Sequence, residues 1–390
     1  MRDDKDGLAL FADAFVASGQ AQAATTNVIP FRARAANRPL AEAVAEIAPA
    51  TIARLLDTVS GTLAPRSAAH APTQLAALGA LVGCALGAAF LAVAFHGTPA
   101  EAVWQLLRSG NWGFSAGTVL AATAVFVYTK TARWHLLLGS PTDFSLRQLV
   151  APVLAGLALN SLLPHSGEFV RALSLQRRAG RAASAVLSSI VAERVFDLFG
   201  VLILGSIALT TVEVTPKLAA AVRLLGAVAA VLAGLIVLAL AYPKSIERVA
   251  ARMTQLLPAG GHGWILRQVT AALAGLEPVR SPRTSMLVLL WSVAQWLAAA
   301  LAVFGCGAVI GFSVGLAAAS LVVVGIVVAF LLPNAPGYVG SVQVAFLVTL
   351  TPIGVAEDAA LAASLVYQLL MILPLIIVGL MCLRPSLARS

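Results

Sequence analysis

Asn160-Ser-Leu-Leu-Pro-His-Ser-Gly-Glu-Phe-Val-Arg171 closes an apolar run that begins at Leu149. A run of that composition belongs in lipid, yet it ends in Pro164, Gly167, Glu168 and Arg171. An unpaired backbone group or charge in hydrocarbon costs on the order of several kcal/mol. Such a break survives only where it is buried in protein or lines a wet cavity, so it marks a candidate binding site.

The surrounding sequence agrees with a membrane setting. The chain is 59% hydrophobic and 11% charged, where a soluble domain carries roughly 25% charged residues. Between Thr284 and Leu383 there is no Lys or Arg, and Glu357 and Asp358 are the only carboxylates. Residues 1–73 hold seven basic and seven acidic side chains, so the net charge of +9 belongs to the rest of the chain. Excess cations in the loops of a membrane protein point to orientation and anionic headgroups rather than to nucleic acid. Cys84, Cys306 and Cys382 are widely spaced in apolar runs and read as packing residues. The N-terminus shows no cleavable signal.

Two regions result. Residues 1–73 form an Ala-rich tail with amphipathic stretches, and residues 74–390 form the membrane domain. The expected fold is an all-α polytopic bundle. Spans are expected at Leu75–Phe95, Trp112–Val127, Ala183–Leu209, Leu218–Tyr242, Ser285–Val309 and Ala359–Leu383. Lys130, Arg133 and Trp134 read as an interfacial cluster closing the second span, and 243–283 as a basic amphipathic connection.

The break at Pro164 has a counterpart. Gly156-Leu-Ala-Leu-Asn-Ser-Leu-Leu-Pro164 matches Gly325-Ile-Val-Val-Ala-Phe-Leu-Leu-Pro333 in its Gly-to-Pro spacing and its Leu-Leu-Pro ending, and Gly167 and Gly337 follow. Paired interrupted segments are the sequence mark of a site built from discontinuous helices. Loop charges favour re-entrant hairpins over full crossings. A full crossing by Leu149–Leu163 would separate Arg171, Arg177, Arg178 and Arg181 from Lys130, Arg133 and Arg147, against the positive-inside tendency. About six full spans plus two re-entrant hairpins entering from opposite faces, as in an inverted repeat, fit best. Both termini are then cytoplasmic. Eight full spans are the alternative.

Candidate chemistry gathers near the breaks. Glu168 and Arg171 are three apart and could pair on one helical face. The helix N-terminus after Pro164–Gly167, with Arg171 beside it, suits a phosphate or carboxylate. Glu193 and Asp197 share a face at i, i+4, and Arg194 reaches Asp197 at i, i+3. Charges this deep must pair internally or face water. Pro336, Gly337, Tyr338 and Gln343 lie on irregular backbone that needs partners, with Tyr367 and Gln368 available on the last span. Trp291, Gln295 and Trp296 read as interfacial or packing residues. No P-loop, His-Glu-x-x-His, Gly-x-Ser-x-Gly or dinucleotide fingerprint occurs, and the five histidines are scattered. No cofactor or metal is expected, and no catalytic motif argues for an enzyme.

The pattern Asn160…Leu163-Pro164…Gly167-Glu168…Arg171, then Glu193-Arg194…Asp197, then Pro336-Gly337…Gly340 resembles the lysylphosphatidylglycerol synthase transmembrane-region family, also described as flippase-like, over about residues 75–383. The resemblance implies a bacterial inner-membrane protein that handles lipid. In multiple-peptide-resistance-factor proteins such a region moves aminoacylated lipid between leaflets, and a C-terminal soluble domain makes it. This chain stops at Ser390, so synthase activity is not carried over. Members often have one more residue and an Arg between the Pro and the Gly-Glu, where this chain has His165-Ser166. The expected function is binding and translocation of a phospholipid, hopanoid or other lipid-linked molecule with an anionic headgroup, with Asn160, Pro164, Gly167, Glu168, Arg171, Glu193, Arg194, Asp197, Pro336, Gly337, Tyr338 and Gln343 at the substrate site. The rival expectations are a membrane transferase using Glu193 and Asp197 as acid and base, and an accessory subunit partnered with a lipid-pathway enzyme.

Overall fold

The computed structural model describes residues 71–139, 144–163, 166–212, 216–254, 262–330 and 334–383. The tail expected over 1–73 lies almost wholly outside them, as do Pro164, His165 and Pro333. Among the described residues the structure is all helical. In chain order the helices are α1 (Ala71–Ala94), α2 (Ala100–Ser109), α3 (Phe114–Leu137), α4 (Leu146–Leu162), α5 (Ser166–Ala179), α6 (Ala183–Leu209) and α7 (Pro216–Ala241). They continue with α8 (Pro243–Thr254), α9 (His262–Gly275), α10 (Pro282–Ile310), α11 (Leu316–Phe330), α12 (Ser341–Leu350), α13 (Glu357–Tyr367) and α14 (Leu373–Met381). A π-helical turn, Gln368–Ile372, joins the last two.

Among the described residues four helices are long and apolar enough to cross a membrane: Val222–Ala241, Pro282–Ile310, Pro336–Ile353 and Glu357–Met381. The bent pair α2 and α3, turned by 94°, adds a fifth. α6 is 27 residues long but carries Glu193, Arg194 and Asp197 in its apolar run. The protein is a multi-pass helical membrane bundle. The six expected spans correspond to α1, α3, α6, α7, α10 and α13–α14. The second runs further than its apolar stretch suggested, to Leu137, and is preceded by α2, an amphipathic helix the sequence reading did not assign.

Both breaks are turns of antiparallel helical hairpins. In the first, α4 and α5 fold back so that Arg178 donates to the Gln148 carbonyl (3.2 Å) and Gly156 faces Gly167 and Arg171. A Cβ on Gly167 would collide with the Gly156 carbonyl, so this crossing requires glycine. Arg178 and Gln148 therefore share one end of the bundle, which is the arrangement of a hairpin and not of a full crossing. In the second, α11 and α12 pack back to back, with Gly325 facing Ala345 and Thr349. Although Pro336–Ile353 is long enough to span, Gly337 (φ 75°) kinks it and α12 returns along α11.

The packing repeats itself. α3 and α10 form the central antiparallel pair: Val119 meets Gly305, Phe126 meets Trp296 and Tyr128 meets Trp291. α4 packs on α3 as α11 packs on α10, and α5 packs on α6 as α12 packs on α13. α6 lies against α11, and α14 lies against α4. Because the helices that lead the two halves are antiparallel, the repeat is inverted. The main core runs through small residues of α10, α11 and α13, among them Ala299, Ala302, Cys306, Ala319 and Ala362. Small side chains allow the close helix approach that membrane packing relies on.

Candidate functional site

The candidate site begins with α6. Glu193 and Asp197 are one turn apart and both buried, so each needs cations brought by other helices. α3 supplies two. Lys130 Nζ lies 2.5 Å from Glu193 Oε1, and the Arg133 guanidinium spans both acids, 3.0 Å to Glu193 and 2.7 Å to Asp197. Hairpin arm α5 supplies a third: Arg171 Nη2 is 2.6 Å from Glu193 Oε2, and its guanidinium sits 4.0 Å over the Trp134 ring. α10 completes the ring of partners, as Ser292 Oγ accepts from Arg133 (2.8 Å) and Gln295 Nε2 donates to Asp197 (3.2 Å).

Two expectations need correction here. Lys130, Arg133 and Trp134 are not an interfacial cluster; all three are buried, Arg133 completely. α3 continues as helix past the apolar stretch, and its cations are held inside by acids sixty or more residues further on. Spacing was the available signal: Lys130 and Arg133, at i, i+3, face one side of a helix, and so do Glu193 and Asp197. Gln295, expected at the interface or in packing, instead touches the acid cluster; Trp291 and Trp296 pack, against Tyr128 and Phe126.

Glu168 and Arg171 also choose partners other than each other. Glu168 pairs with Arg194 of α6, while Arg171 turns to Glu193. Hairpin 1 is thus tied to α6 by two crossed ion pairs. They differ in exposure: Arg171 and Glu193 are buried, but the Arg194 side chain is 48% exposed. Arg194 also stands 4.0 Å from Asp197, as its i, i+3 spacing implied.

The tips of the hairpins meet. Tyr338 Oη donates to the Asn160 carbonyl (3.0 Å). Asn160 closes its own turn, accepting from Gly167 N–H (2.7 Å) and donating to Glu168 (3.2 Å). Hairpin 2 is fastened by amides: Gln343 donates to Gln368 (2.6 Å), Gln368 to the Gly337 carbonyl (3.1 Å), and Gly340 N–H to Gln343 (2.8 Å). Pro336 opens the single 3-10 turn that carries Gly337 and Tyr338. The turn is pressed against α1, where Gly83 and Gly87 leave no room for a Cβ beside Asn334, Ala335 and Val339. Of the residues expected at the site, Asn160, Gly167, Glu168, Arg171, Glu193, Arg194, Asp197 and Tyr338 therefore form one connected constellation. Gly337 and Gln343 join it through Tyr338's turn, and Pro164 is outside the described residues.

A family model for the lysylphosphatidylglycerol synthase TM region matches residues 80–379, which include both hairpins and every charge of the cluster. The chain belongs to this family. No curated protein and no solved structure matches it. As a lysylphosphatidylglycerol synthase TM region, it is a membrane protein of lipid-related pathways. Among the described residues no group of His, Cys, Asp and Glu suited to a metal ion occurs.

Proposed function

We propose that the protein binds and translocates a membrane lipid or lipid-linked molecule with an anionic headgroup, as a carrier rather than an enzyme. One observation carries this reading. At the joint of hairpin 1 and α6, four cations (Lys130, Arg133, Arg171 and Arg194) face three carboxylates (Glu168, Glu193 and Asp197). An apolar body that holds a surplus cation offers a site for an anion. Arg194 is the member open to it. A phosphate or carboxylate would take the guanidinium from Glu168 by bidentate pairing, and so release one of the ties on hairpin 1. Arg171 holds the other tie, while Glu193 and Asp197 balance the buried cations.

The hairpins act as the two gates, closed here tip against tip. The end that carries Arg178, Arg181 and Arg280 is rich in cations and faces the cytoplasm of a bacterial inner membrane. A lipid-pathway enzyme is the natural supplier of the cargo. The test is fluorescent-lipid scrambling in proteoliposomes, with mass spectrometry of lipid retained by the purified protein. Wild type should scramble and retain anionic lipid, and Arg194→Ala should lose both. Equal scrambling by Arg194→Ala, or retention of zwitterionic lipid alone, would sink the reading.

A further inference from the structure

The basic connection after α7 carries an arrangement of its own. α7 is a span that ends at Ala241, and α8 begins at Pro243, so α8 starts at the edge of the bilayer. Ile246, Val249 and Met253 share one side of it at i, i+3 and i+7. Tyr242 is in phase with them, since its carbonyl accepts from Ile246 N–H (3.2 Å). Tyr242, Val249 and Met253 are 59%, 58% and 60% exposed. Lys244, Arg248 and Arg252 share a second side at i, i+4 and i+8, and all three are exposed. The third side is taken by α9, where Thr270 donates to Glu247 (3.1 Å). Lys244 and Arg248 line an open groove between the two helices, with Leu266 and Thr270 opposite.

One partner matches both exposed stripes. Nucleic acid would engage the cations and leave Tyr242, Val249 and Met253 in water. A neutral lipid phase would take the apolar stripe and leave the cations unmatched. The headgroup boundary of an anionic leaflet takes both. The wider charge agrees, because residues 243–283 hold six basic and two acidic side chains. α9 connects this surface to the site. Gly275 lies against the Ala185 carbonyl and Ser188 of α6 with no room for a Cβ, and Glu193 and Arg194 stand further along the same helix.

We propose that α8 is an interfacial helix that docks on an anionic leaflet and gathers anionic lipid beside α6. Its apolar stripe enters the acyl boundary. Lys244, Arg248 and Arg252 hold headgroup phosphates, the first two in the groove against α9. The gathering rests on the anionic-headgroup reading above; the docking does not. Each cation near an anionic surface favours docking about fivefold, so three favour it about a hundredfold.

The test uses the full chain reconstituted in phosphatidylcholine vesicles with and without phosphatidylglycerol. An environment-sensitive fluorescent amino acid placed at Val249 reports contact with brominated, quenching lipid. Quenching should be strong with phosphatidylglycerol, weak without it, and reduced by salt. Lys244→Gln, Arg248→Gln and Arg252→Gln together should lower it to the level seen without phosphatidylglycerol. The three side chains are exposed and Gln keeps the helix propensity, so the variant folds. The same variant should scramble phosphatidylglycerol several-fold more slowly than wild type. Equal quenching with and without phosphatidylglycerol would overturn the anionic docking, and so would quenching in neither, which would give this face to a protein partner. Scrambling at the wild-type rate by a variant that no longer docks would overturn the gathering. Wild type that docks but scrambles nothing would overturn the carrier reading, and the gathering with it, while the docking stands.

Discussion

Hairpin 1 and hairpin 2 occupy equivalent places in an inverted repeat, yet they are fastened by different chemistry. Hairpin 1 is held to α6 by charges, Glu168 to Arg194 and Arg171 to Glu193. Hairpin 2 is held by neutral amides, Gln343 to Gln368 to Gly337, and by glycine contacts with α1. Amide bonds to backbone have one set of partners and no soluble competitor in lipid. An ion pair with an exposed arm can be exchanged for another ion. On the proposed function, the difference makes hairpin 1 the readier of the two gates to move and hairpin 2 the more firmly held.

The comparison breaks most severely at Glu193. This acid meets Lys130, Arg133 and Arg171 with both oxygens. Glu193→Gln leaves three buried cations short of a partner, and removing one side of such a group costs about 3–5 kcal/mol. Thermal unfolding in detergent should show this as a large loss of stability or as failure to fold. The neutral hairpin predicts a smaller loss. Gln343 is fully buried, and Gln343→Leu strips partners from Gln368 and from Gly340 N–H, costing about 1–3 kcal/mol. If the Gln343 variant proves the less stable of the two, the charges are not what holds the bundle.

How much of this was legible in the sequence follows the same division. The breaks, their kinship and the acids of α6 stand out because Pro, Gly and carboxylates contrast with apolar neighbours. The Leu-Leu-Pro match at 156–164 and 325–333 even pointed to the inverted repeat. Lys130 and Arg133 mislead in the sequence because cations next to a Trp at the end of an apolar run are the usual mark of an interface. Only the fold, which brings α6 against α3, reveals their acids. Glu168 and Arg171 mislead for a related reason: local spacing offers i, i+3 partners, whereas the hairpin presents both side chains to another helix. Gln295 gave no signal, since one amide in an apolar run announces neither a packing role nor a polar one.

The smallest change should be the most telling about motion. Tyr338 Oη donates to the Asn160 carbonyl across the two tips. Tyr338→Phe keeps the ring stacked on Phe330, whose centroid is 3.9 Å away, so packing is preserved and only the bond is lost. Such a bond contributes about 1 kcal/mol, so stability should change little. If the tips must part for lipid to pass, the same loss favours the open arrangement by about fivefold, and scrambling should rise. Should Tyr338→Phe scramble more slowly than wild type, the tips do not act as a closed gate, and Tyr338 touches the cargo instead. A rise confined to this variant, absent when the amides of hairpin 2 are weakened, would locate the moving contact at the tip of hairpin 1.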